Sequence, residues 1–229
     1  TITVGIGENK VRAKIANKLA KNIDYSAGIF DLAKTRNEND YLKRIKDVYP
    51  SKFRDLSPRP MELYHEFSKI IDHKELWPKK ERCLSEQNVA IIKNFEFMKI
   101  LNETFGSFKI TDEDEIGREE VYWRLVRPNC NEDVGPLHAD SWFWELSKSK
   151  EKNYKRYKIW MPIFCEKNNS GFMYVSESHK KDWEYDSSMR DGKLKPVPKI
   201  NERDIEITKF RGSPGNIIMF NDKLIHGGY

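Results

Sequence analysis

The chain has 229 residues, with 41 basic and 36 acidic side chains, a net charge of +5 and a hydrophobic share of 38%. That size suits one domain with a sizeable core, and no run of about 18 apolar residues is present to span a membrane. The small positive excess reads as a lysine-rich solvated surface, which argues against nucleic acid as a partner and is compatible with a small anionic substrate.

The first half, to about residue 115, reads as helical. Val11 to Ile23 places Val11, Ile15 and Leu19 on one helical face. Glu38 to Val48 is short and amphipathic, and Pro60 suits the first turn of a helix over Met61 to Ile71. Ser85 precedes a long helix expected from Glu86 to Phe105, closed by Gly106. From about residue 116 the character changes. Glu120 to Val126, Tyr157 to Phe164, Phe172 to Val175, Ile205 to Phe210 and Asn216 to Phe220 are rich in β-branched and aromatic residues, with Gly or Pro between them. Ser147 to Lys158 and Asp182 to Glu202 read as long polar loops beside a pocket mouth, the second carrying Pro196 and Pro198. A helical part followed by many strands implies an α+β fold with a mainly β core, a sandwich or barrel with helices packed outside it.

Two stretches carry chemistry. In Gly135-Pro136-Leu137-His138-Ala139-Asp140, a strand would put His138 and Asp140 on one face and turn Ala139 away. A second imidazole, His226, sits in the distant stretch Leu224-Ile225-His226-Gly227. Two imidazoles and one carboxylate on one face of a metal leave its other face open, as in non-haem Fe(II) oxygenases. A bare H-x-D is common by chance, and in most chains it is a surface Asp beside a polar His. Trp142, Phe143 and Trp144 follow directly; as a strand they would alternate, with Trp142 on the metal face. Their ordinary role is core packing, and the alternative is a stacking wall for a ring-shaped or sugar-like substrate. His179 reads as a substrate contact or a structural hydrogen-bonding residue. His65 and His73, in the helical half, read as exposed. Arg124, Arg127, Arg156 and Arg211 are candidates for gripping an anion. The lysines from Lys148 to Lys158 read as solvated loop. Cys83, Cys130 and Cys165 are odd in number and lack C-x-x-C spacing, and Thr1-Ile2-Thr3-Val4 has no leader character, so a reducing cytoplasmic setting is expected.

Four ordered stretches resemble the phytanoyl-CoA dioxygenase-like branch of the Fe(II)/2-oxoglutarate oxygenases. They are Pro136 to Asp140; Lys158-Ile159-Trp160-Met161-Pro162-Ile163; Asn168-Asn169-Ser170-Gly171 running to Ser176-Glu177-Ser178-His179-Lys180; and Gly215 to Phe220 followed by Leu224 to Gly227. The resemblance covers roughly residues 120 to 229. It implies a single oxygenase domain over 1–229, built on a double-stranded β-helix of the jelly-roll or cupin-like type with packed N-terminal helices. It implies His138, Asp140 and His226 as Fe(II) ligands, and Trp123 and Trp160 as lining for 2-oxoglutarate. It also implies O2 as oxidant, release of succinate and CO2, and hydroxylation of a small metabolite.

Two features depart from the family. Glu177 stands where the family often has Gly. The family's 2-oxoglutarate is usually paired with an Arg beyond the last His, and no Arg or Lys follows His226. A final strand carrying that cation is therefore expected beyond Tyr229, with Arg211 or Arg127 as internal alternatives. Three other readings stand beside the leading one: a non-catalytic metal- or ligand-binding relative of the same fold, a macromolecule-modifying oxygenase, and a cupin-like metalloenzyme that uses no 2-oxoglutarate.

Overall fold

The computed structural model describes residues 71–127, 129–147, 154–162, 171–190, 192–212 and 216–229. The helices expected over Val11 to Ile23, Glu38 to Val48 and Met61 to Ile71, and His65 with them, lie outside the described residues apart from Ile71. The described part is mixed: helices and three small antiparallel sheets. Backbone proximity divides it into two units. One joins the stretch up to Phe108 with Val121–Asn129, and the other joins Lys109–Glu120 with Cys130–Tyr229.

The first unit holds α1 (His73–Leu76), α2 (Glu86–Lys93) and α3 (Glu96–Phe105). Ser85 caps α2 by accepting from the Asn88 N–H, and Gly106 ends α3 at φ +80. The long helix expected from Glu86 to Phe105 is instead broken at Asn94-Phe95, where Phe95 is extended. The reason is phase. α2 buries Val89 and Ile92, and a continuous helix would next turn Glu96 and Lys99 inward. The break turns Phe97, Met98 and Leu101 inward instead. Glu120 to Val126 forms no strand among the described residues; its one ladder contact is a bridge from Tyr122 to Cys83. His73, expected to be exposed, is buried at 7%.

The second unit holds α4 (Ser141–Leu146), β1 (Tyr157–Trp160), β2 (Phe172–Val175), β3 (Tyr185–Arg190), β4 (Lys193–Pro198), β5 (Ile207–Phe210), β6 (Ile218–Asn221) and β7 (His226–Gly228). The sheets are β1-β6, β5-β2-β7 and β3-β4. Alternation along β2 feeds two cores. Met173 and Val175 join Leu137, Ala139, Trp142 and Ile225 on one side. Phe172 and Tyr174 join Phe220, Leu224, Trp160 and Phe210 on the other. Side chains of β1 and β6 thus share an aromatic core with those of β2 and β5.

Two expectations are corrected here. Asp182 to Glu202 is no open loop: it contains the β3-β4 hairpin, paired from Tyr185↔Pro198 to Arg190↔Lys193. Pro196 and Pro198 fit because each strand of a two-stranded ribbon has an outer edge that needs no donor. Trp142, Phe143 and Trp144 lie on the helix α4, not on a strand.

Candidate metal centre

His138 and His226 are drawn together by the backbone. Each donates its N–H to the other's carbonyl, both at 2.9 Å, in an isolated antiparallel bridge. Directly opposed residues in such a pair project to the same side. The two imidazoles accordingly lie with centroids 4.7 Å apart. The neighbours alternate as expected: Leu137, Ala139 and Ile225 point into the other core. Asp140 is reached differently from the strand alternation anticipated. It has helical backbone angles at the N-cap position of α4 but makes no side-chain capping bond, so the chain turns just after the bridge and the carboxylate stays free to lie beside the rings.

The three side chains converge. His138 Nε2 lies 3.6 Å from Asp140 Oδ1, and His226 Nε2 lies 3.6 Å from Asp140 Oδ2. One ligand atom from each of the three falls within 4.8 Å of the others, a grouping that can hold a metal ion. Both rings are oriented by carbonyls two residues back: His138 Nδ1 lies 2.8 Å from Pro136 O, and His226 Nδ1 lies 2.9 Å from Leu224 O. A carbonyl accepts only, so each Nδ1 carries the proton and each Nε2 offers its lone pair. Burial, opposed by the Asp140 charge, holds His226 down at about 4, which leaves it neutral near pH 7. Burial works to raise the Asp140 carboxyl, but the Lys158 ammonium beside it brings it well below the usual range. Two imidazole nitrogens and a carboxylate oxygen are a donor set suited to a divalent first-row metal.

Aromatic rings wall this centre. Phe172 stacks on His226 at 5.3 Å, Phe220 sits 4.6 Å from it, and Phe143 meets His138 edge-on at 5.8 Å. Trp160 is one ring further out, 5.6 Å from Phe172. Comparison with family models, curated proteins and solved structures returns no match.

The other sequence candidates fall in various places. Trp142 is buried at 4% and stacks on Tyr185, and Trp144 is buried at 4% beneath the Arg156 guanidinium. Both are packing residues of α4, so the expected metal-facing position of Trp142 is not found; the aromatic beside the triad from this run is Phe143. His179 is half-buried in a short turn of 3-10 helix and is not part of the triad. Arg211 is exposed just past β5. Trp123 and Arg127 belong to the other unit, where Trp123 meets Trp77 edge-on at 4.9 Å.

Sequence reasoning missed Lys158 and Glu113. Lys158, expected both in the strand from Tyr157 and at the end of a solvated lysine loop, is buried on β1, with Nζ 2.7 Å from Glu113 Oε2 and 3.4 Å from Asp140 Oδ2. Burial works against its charge, but the two carboxylates more than reverse this and raise its proton affinity. The available signal was its place in Tyr157-Lys158-Ile159-Trp160, a lone charge two residues from an inward-facing Trp.

Proposed function

We propose that the chain is a non-haem Fe(II)- and 2-oxoglutarate-dependent dioxygenase of the phytanoyl-CoA dioxygenase-like family, built on a double-stranded β-helix, that hydroxylates a small metabolite. The observation that carries this reading is the paired orientation of His138 and His226, each with Nδ1–H on a carbonyl and Nε2 turned to Asp140. A carboxylate and two imidazoles packed among aromatic rings are costly unless a cation gathers their lone pairs. Three protein ligands on one face leave room for a two-point chelator and a diatomic oxidant.

In this reading His138 and His226 bind Fe(II) through Nε2, and Asp140 binds it through one carboxylate oxygen. The bound metal, with 2-oxoglutarate and O2, supplies the oxidising power that turns a C–H into a C–OH with release of succinate and CO2. The residues of the chain do the rest. The Pro136 and Leu224 carbonyls hold the ring tautomers and angles, so the ligands need no reorganisation. Phe143, Phe172 and Phe220 exclude water from the imidazole sides of the centre. Trp160, half-buried and packed against the Phe172 cluster, would line the 2-oxoglutarate pocket in this reading.

The test is anaerobic. Addition of Fe(II) and 2-oxoglutarate should give a weak visible charge-transfer band in the parent and none in Asp140→Ala or His226→Ala. Aerobic incubation should then release succinate only with both additions. A band unchanged by Asp140→Ala, or succinate release without added iron after chelation, contradicts the assignment.

A further inference from the structure

Lys158 is placed where it competes with a metal for the same ligand. Its ammonium is 7% exposed and sits between two carboxylates, 2.7 Å from Glu113 Oε2 and 3.4 Å from Asp140 Oδ2. That same Oδ2 faces His226 Nε2 at 3.6 Å. Asp140 Oδ1 faces His138 Nε2 at the same distance, so the ammonium holds one of the two oxygens that a metal between the imidazoles could draw on. Glu113 is the shorter partner and comes from a separate segment, Lys109–Glu120. Its Asp114 neighbour receives Lys193 from β4 at 3.4 Å, which gives that segment a second tie.

We propose that Lys158 tunes the affinity of the triad for its metal by competing for Asp140, and that Glu113 sets the outcome by holding the ammonium back. Lys158 is a positioning residue: it acts through Asp140 and touches no reacting atom. The inference rests on the metal-binding reading of the triad but on no reading of the reaction.

The charges give opposite signs for two substitutions. Asp140, Glu113 and Lys158 together carry one net negative charge. Lys158→Met leaves two negative charges beside the imidazoles and removes the competitor. Glu113→Gln leaves none and frees the ammonium to lean fully on Asp140. At a few ångströms in a partly buried site, one unit of charge matters strongly to a divalent cation. A lysine that only supported the fold would move both variants in the same direction.

The experiment titrates cobalt(II) against a competing chelator in the parent, Lys158→Met, Glu113→Gln and Asp140→Ala proteins, without any turnover. Lys158→Met should bind at least about tenfold more tightly than the parent and Glu113→Gln at least about tenfold more weakly. Shifts of the same sign, or neither variant moving beyond about twofold, overturn the proposal. If Lys158→Met does not fold, Glu113→Gln decides alone: weaker binding supports the competition, and unchanged or tighter binding refutes it. The parent and Asp140→Ala arms test the underlying reading separately. A parent that binds no cobalt, or binds it equally well after Asp140→Ala, removes the metal centre and the competition with it.

Discussion

Single side chains decide how well the centre is held. Ser178 is 1% exposed; its hydroxyl donates to Val175 O at 2.7 Å and accepts the Ile225 N–H at 2.8 Å. One residue thus ties the end of β2 to the position just before His226. Ser178→Ala would orphan a buried carbonyl and a buried N–H, at a cost of about 1–3 kcal/mol. Urea denaturation checks this, and an unchanged midpoint would refute it. The preceding residue, Glu177, adopts left-handed backbone angles, φ 57 and ψ 7. Any residue with a Cβ is strained there by about 1–2 kcal/mol. Its ion pair with Lys180 spans two exposed groups and offsets little of this. Glu177→Gly should therefore raise the melting temperature, and a lower one would contradict the strain argument. The resemblance had flagged this position as one where Gly is common. The residue type departs from the pattern, yet the backbone keeps the conformation that a Gly favours.

At the scale of elements, sequence periodicity placed several strands within a residue or two. Phe172–Val175 matches its expected bounds, and Ile207–Phe210 and Ile218–Asn221 lie within or beside theirs. Phe172 to Val175 is apolar at every position because two buried cores take its opposite faces. The β3-β4 hairpin was illegible because its outward face is polar and its prolines suggested a loop. The Asp191-Gly192 dipeptide was the missed signal, and Gly192 indeed has φ +73. The break between α2 and α3 was illegible for another reason: Asn94 and Phe95 are no strong helix breakers, and only burial of Phe97 and Leu101 resets the phase. α4 couples packing to the site. It starts at Asp140, and its Trp142 ring stacks on Tyr185, whose hydroxyl donates to Glu145 at 2.7 Å. Trp142→Ala should cost about 3–5 kcal/mol of stability. Because the helix end carries a ligand, it should also weaken cobalt binding. Lost stability with unchanged cobalt affinity would show that α4 does not set the position of Asp140.

For the molecule as a whole, buried charge gives a pH dependence whose sign can be worked out. Burial holds the Asp222 carboxyl at about 6, above its ordinary 3.8, although the Arg156 charge pulls it down. Over that interval the folded chain keeps a proton that the unfolded chain has released. This group's contribution to stability therefore falls as pH rises from about 4 to about 6. With chelator present, Asp222→Asn should lose less stability than the parent across that range. An equal loss in both would place the effect elsewhere. The triad was legible in the sequence because H-x-D and the distal His-Gly each sit in a recognisable stretch. The cation beside Asp140 was not, since lysines abound in this chain and only the fold distinguishes a buried one.

Binding of one metal ion by His138, Asp140 and His226 is tested most directly by anomalous scattering from crystals grown with cobalt(II). A single strong peak is expected about 2.0–2.2 Å from Nε2 of His138, Nε2 of His226 and one oxygen of Asp140. A peak bound through Nδ1 of either histidine, or one at other residues with none at this triad, would contradict it.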